Sequence, residues 1–194
     1  MEIIFSSVAT SDEVTQILDL QAQNHVLNVS PAVAQEQGFV TVKHDPLVLQ
    51  RMNEVAPSII AKDGGRVVGY ALVMPRSFSA DIPILQPMFD LLDTLSWQGT
   101  PLCENSRWFA MGQICVAEGY RGMGVFDGMY QKMKEVCQSE FDFVITEIAE
   151  RNVRSIRAHE RVGFETLHTF SDAVAGEVWR VVVWDWEKGR PEVV

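Results

Sequence analysis

The stretch that most constrains this chain runs from Trp108 to Phe126. A β-rich run, Trp108 to Val116, leads to Glu118-Gly119-Tyr120-Arg121. Two glycines, Gly122 and Gly124, then flank Met123 before a helical pattern opens at Val125. Glycine lets the backbone turn with positive φ and lets a bulky group approach main-chain amides closely. A helix that starts there leaves its first N–H groups unpaired, with partial positive charge at that end. Strand, glycine turn and helix start together form a cradle for a phosphate or pyrophosphate, with Arg121 as a cation at the rim. Spacing excludes two other phosphate motifs. A dinucleotide fingerprint needs a third glycine where this chain has Asp127, and the Gly-Lys-Ser/Thr of a P-loop is absent. The plain alternative is a glycine turn that merely starts a helix.

A second stretch, Asn152 to Phe164, reads as a helix. Asn152, Ser155 and His159 fall at i, i+3 and i+7 on one face, Arg154, Arg157 and Arg161 line another, and Val153, Ile156 and Val162 supply an apolar stripe. Gly163 suits the C′ position, and Phe164 can pack back on the last turn. In this order, the two stretches resemble the GNAT superfamily of acyl-coenzyme A-dependent N-acetyltransferases. The family's first motif, Gln/Arg-x-x-Gly-x-Gly/Ala, is matched at Gly122 and Gly124, with Gly119 in place of the long polar residue. Its second, Asn-x-x-Ala/Ser-x-x-x-Tyr-x-x-x-Gly-Phe, is matched at Asn152, Ser155, Gly163 and Phe164, with His159 in place of the tyrosine.

The resemblance implies a GNAT fold of the α/β class: a mixed, mostly antiparallel seven-stranded sheet flanked by about four helices, in one domain over residues 1–194. It implies acetyl-coenzyme A as acyl donor, held by Cys115, Val116, Arg121, Gly122, Met123, Gly124, Val125, Phe126, Asn152 and Ser155, with a backbone N–H near Cys115 and Val116 facing the oxyanion. It also implies direct transfer to an amine. In the ribosomal-protein alanine N-acetyltransferase branch a catalytic glutamate stands five residues before the motif asparagine, which here is Glu147. The bland reading of Glu147 is a salt-bridge partner for Arg151 or Arg154. His159 is the expected acid for the leaving thiolate, since imidazolium can give up a proton near neutral pH. The bland reading of His159 is a histidine hydrogen-bonded in the core.

Bulk properties fit a small enzyme. A chain of 194 residues is long enough to bury a real core. The net charge of −10 argues against a nucleic-acid surface and favours cationic, amine-bearing acceptors, small molecules or peptides. Cys103, Cys115 and Cys137 are odd in number, with no metal or redox spacing, which suggests reduced cytoplasmic thiols. No metal site, membrane span or signal peptide is expected. Two other functions stay open: a non-catalytic coenzyme A-binding regulatory module, and a GNAT-type toxin acetylating aminoacyl-tRNA, which an acidic surface disfavours.

The remaining elements follow from caps and periodicity. Strands are expected at Ile3 to Val8, Ser58 to Ala61, Val67 to Met74, Trp108 to Val116, Phe141 to Ile148, Glu165 to Phe170 and Val178 to Trp186. Thr10-Ser11-Asp12-Glu13 is a capping box, Asp45-Pro46 opens a second helix, and Asp63-Gly64-Gly65 is a hairpin signal. The acceptor pocket is expected to draw on Val29 to Asn53. The long connection from Arg76 to Asn105 reads equally as a cover for that pocket, a homodimer contact or a surface helix capping the core. Lys188 to Val194 reads as a loose tail.

Overall fold

The computed structural model describes residues 2–30, 39–173 and 176–187. The expected tail, and part of the expected acceptor region, lie outside them. Strand β1 (Ile3–Ser7) leads to helix α1 (Ser11–Asn24). The capping box forms: Thr10 accepts from the Glu13 backbone N–H, and the Glu13 carboxylate accepts from the Thr10 backbone N–H. Such a cap contributes about 1 kcal/mol. Helix α2 (Pro46–Val55) starts at Asp45, whose carboxylate accepts from the N–H groups of Leu47 and Val48. The hairpin β2 (Ile59–Asp63) and β3 (Arg66–Met74) turns at Gly64 and Gly65, both at positive φ.

The 76–105 connection holds two short 3-10 turns, helix α3 (Gln86–Leu92) and a two-residue hairpin of β4 (Ser96–Trp97) and β5 (Thr100–Pro101) that the sequence reading lacks. Its apolar side chains Phe78, Met88, Phe89 and Leu92 are buried against Trp108, Ile145 and Val183, so the segment caps one face of the sheet. The chain continues through β6 (Trp108–Val116), α4 (Val125–Cys137), β7 (Phe143–Ala149), α5 (Val153–Val162), β8 (Glu165–Asp172) and β9 (Glu177–Asp185).

Seven strands form one sheet in the order β1-β2-β3-β6-β7-β9-β8. All neighbours are antiparallel except β6 and β7, which run parallel. That exception positions the site. The parallel pair holds only at Trp108↔Phe143, Phe109↔Val144 and Ala110↔Ile145; beyond it the strands part. Two features stand at the parting. Gly112 is an extra residue, because Val73 pairs with Met111 and Leu72 with Gln113, and such a bulge bends its strand. The Thr146 hydroxyl donates to the Met111 carbonyl at 2.9 Å, closing the last link between the two strands.

Candidate active site

Beside the parting lies a cleft of about 770 Å³, walled by the end of β6, Asn24 at the end of α1, the first turn of α4 and the length of α5 from Asn152 to Arg161. On the α4 side, Gly122 and Gly124 both take φ +76°, a conformation an L side chain rarely adopts. A Cβ placed on either would meet nothing within 4 Å, so it would project into open space. Gly124 is the N-cap of α4 and offers no side chain to the first-turn N–H groups, which leaves those donors available to an anion. Val125 and Phe126 carry on the wall.

On the opposite side, Asn152 caps α5, its side-chain oxygen accepting from the Ser155 backbone N–H at 3.2 Å, and both residues line the cleft. Arg154, Arg157 and Arg161 line it too. Helical spacing puts them on a different face from Asn152 and Ser155, yet the cleft crosses the helix start and then follows the arginine face. Arg161 pairs in part with Asp127 of the first turn of α4, at 2.9 Å, which offsets a carboxylate that would oppose a phosphate there. Arg121 lines the cleft and is also tied into the fold. Its guanidinium turns inward, donating to the Val116 carbonyl at 3.0 Å and the Asn24 side chain at 2.7 Å, so that it ties α1 to the end of β6. Met123 is half exposed and does not line the cleft. Cys115 is in the wall, where burial pushes its thiol up to about 12; it stays protonated and unreactive.

The two expected proton-transfer residues stand elsewhere. Glu147 occupies the sheet face away from α4 and α5, because it pairs with Val181 and shares its side with Phe143 and Ile145. Its Oε1 is buried with no hydrogen-bond partner among the described residues. Burial, reinforced by the charge of Asp172, pushes its carboxyl up to about 7. Neither Arg151 nor Arg154 holds it: Arg151 pairs with Glu177.

His159 does not reach the cleft. It is 2% exposed, packed edge-on against Phe126, Tyr130 and Phe164. Its Nδ1 lies 2.8 Å from the Ser155 carbonyl, which can only accept, so the proton is on Nδ1 and Nε2 accepts from the Tyr130 hydroxyl at 2.7 Å. Burial lowers its pKa to about 4. The ring is neutral with both nitrogens engaged in the core, so His159 does not stand where a catalytic acid for the thiolate is expected. One turn of helix separates Ser155 at the cleft from His159 in the core, since α5 tilts its inward face onto α4. His159→Phe leaves the buried Tyr130 hydroxyl unpaired, and should cost about 1–3 kcal/mol of stability. Chemical denaturation should show that loss while turnover per folded molecule changes less than threefold, on the order of 0.6 kcal/mol.

Sequence reasoning left out the three arginines as cleft residues, although their one-face spacing was visible. It also missed a buried network around Gln113. Gln113 accepts from the Tyr70 hydroxyl at 2.6 Å and from Gln21 at 2.7 Å, and its own amide donates to the Val42 carbonyl at 2.9 Å. No local signal joins these residues.

A seven-stranded sheet parted at its one parallel pair, with a glycine cradle at the parting, defines a known class, and the sequence agrees. It matches the Acetyltransferase (GNAT) family over residues 30–164, and the chain belongs to that family. No curated protein sequence matches it. Among solved structures it is similar to yncA of Salmonella typhimurium, determined with its cofactor acetyl-CoA (14% identity, TM-score 0.62, 99% of each chain covered). It is similar also to the ribosomal-protein-S18-alanine N-acetyltransferase of Escherichia coli (10% identity, TM-score 0.63, 100% of this chain and 99% of that one). A third is the ribosomal-protein-alanine N-acetyltransferase of Brucella melitensis (18% identity, TM-score 0.60, 94% of this chain and 99% of that one). At these identities the likeness concerns the fold.

Proposed function

We propose that this chain is an N-acetyltransferase that moves an acetyl group from acetyl-coenzyme A to a primary amine of a peptide or small molecule. The observation that carries the reading is the pairing of an open amide cradle on one side of the parted strands with a carboxyl of raised pKa on the other. The cleft fits the donor. Its free α4 amides and the Arg154 and Arg157 side chains suit phosphates, and the space beside Gly122 and Gly124 is clear of protein atoms. When bound there, acetyl-coenzyme A supplies the acetyl group as a thioester.

The chain's own residues do the rest. Glu147 takes the proton the amine must lose on attack, and a carboxylate with pKa about 7 is better suited to this than an ordinary one. The backbone N–H of Val116 in β6, on the far side of the bulge and pointing away from β3, faces the developing oxyanion. The amine nitrogen bonds to the carbonyl carbon, the carbon–sulfur bond breaks, and the thiolate takes its proton from solvent through the open cleft. A protonated Cys115 speaks against an acyl-cysteine intermediate. That two similar structures are alanine N-acetyltransferases of ribosomal proteins supports peptide acceptors. The test is coenzyme A release from acetyl-coenzyme A across a panel of amines and peptides. Tight binding with no release for any acceptor would leave a binding module in place of an enzyme.

A further inference from the structure

Two buried polar atoms lack partners among the described residues on the sheet face that carries Glu147: Oε1 of Glu147 and Nε2 of His44. They stand on the two sides of the parting. Strand pairing Met74↔Ala110 and Leu72↔Gln113 places Gln113 on the same side as Ala110, and the parallel partner of Ala110, Ile145, lies two residues before Glu147. Gln113 and Glu147 therefore stand on the same side at the mouth of the gap, one on each strand. His44 is joined to Gln113 by a single amide, since Gln21 Nε2 lies 2.7 Å from Gln113 Oε1 and 2.9 Å from His44 Nδ1.

The chemistry of both orphans can be assigned. The His44 backbone N–H donates to Gln21 Oε1 at 2.9 Å, which fixes the Gln21 amide so that its NH₂ faces His44 Nδ1. Nδ1 must then accept, and the ring proton sits on Nε2. His44 is 3% exposed, and its Nε2–H is a buried donor without an acceptor among the described residues. An unpaired donor in such a place is destabilising, so a group that supplies the acceptor is favoured there. Glu147 presents the converse, a buried acceptor without a donor among the described residues.

We propose that His44 and Glu147 form a two-point clamp for an α-amino amide: the amine donates to Glu147 Oε1, and the adjacent carbonyl accepts from His44 Nε2–H. The acceptor is then the N-terminus of a peptide, in preference to a plain alkylamine. This deepens the acetyltransferase reading and rests on it. His44 is a binding residue and not a second base, because burial holds its pKa near 4 and Nδ1 is already engaged.

The experiment sets amino-acid N-methylamides against the diamines in which the carbonyl is reduced to CH₂, with acetyl-coenzyme A as donor and each rate referred to the neutral amine. The wild-type chain should prefer the amides at least tenfold in kcat/KM, and His44→Phe should abolish most of that preference while leaving acetyl-coenzyme A affinity unchanged by calorimetry. Equal rates for amide and diamine in the wild-type chain, a comparison that needs no variant, overturn the clamp. A preference that survives His44→Phe in a folded protein also overturns it. Transfer to no amine of either kind overturns the acetyltransferase reading and the clamp with it.

Discussion

Glu147→Gln should lower turnover on the order of 10²-fold or more, with little change in acetyl-coenzyme A affinity, because it removes a base and leaves the cleft untouched. The pH profile gives the sharper readout. A carboxyl whose pKa is pushed up to about 7 is mostly protonated below that value and mostly ionised above it, and only the ionised form accepts a proton. The rate for the neutral amine should rise with pH through about 7 and level off. Asp172→Asn removes the like charge that helps to hold the Glu147 pKa up, so the rising limb should move to lower pH. A wild-type profile with no inflection near 7, or a Gln variant that keeps full turnover between pH 6 and 9, would assign the proton transfer to solvent or another group.

Gly124→Val acts on the other side of the gap. The φ of +76° strains any L residue there, and the new side chain projects into the cradle at the start of α4. Acetyl-coenzyme A binding should weaken at least tenfold, about 1.4 kcal/mol. Calorimetry on the folded variant, with circular dichroism as a check on α4, separates loss of the ligand from loss of the helix. An affinity equal to that of the wild-type chain would remove the cradle from the site.

The parts of this molecule written in short stretches were legible in the sequence. The glycine turn before α4, the caps at Thr10 and Asp45, and the Gly64-Gly65 turn each involve neighbours within a few residues, and local backbone chemistry dictates them. The seven strands followed from the same signals. What failed depends on azimuth and distance. Helical spacing groups Asn152, Ser155 and His159, but it cannot say that the third residue meets Tyr130, 29 residues earlier in the chain. Nor does it say that the arginine face borders the cleft together with Asn152 and Ser155. The link from Gln21 to Gln113 spans 92 residues and exists only once α1 lies on the sheet. Gly112 looks like any glycine in a strand until β3 shows it to be the extra residue. For Glu147, the motif offset pointed to the position, while its isolation on the far face of β7 required the structure.

The early end of the β6–β7 pairing has a consequence for motion. Past Ala110 and Ile145, main-chain groups that would normally be locked in a central ladder face a gap instead, so the middle of the sheet contains what amounts to two inward-facing edges. Amide protons near Ile114 and Val116 that point away from β3 should exchange with deuterated water at rates typical of a rim, while those of β3 and β9 on either side stay protected. Slow and fast strand amides would then lie one strand apart in the middle of the sheet. Any ligand that bridges the gap should register there first, as a local slowing of exchange at its centre, before it changes the melting temperature of the whole.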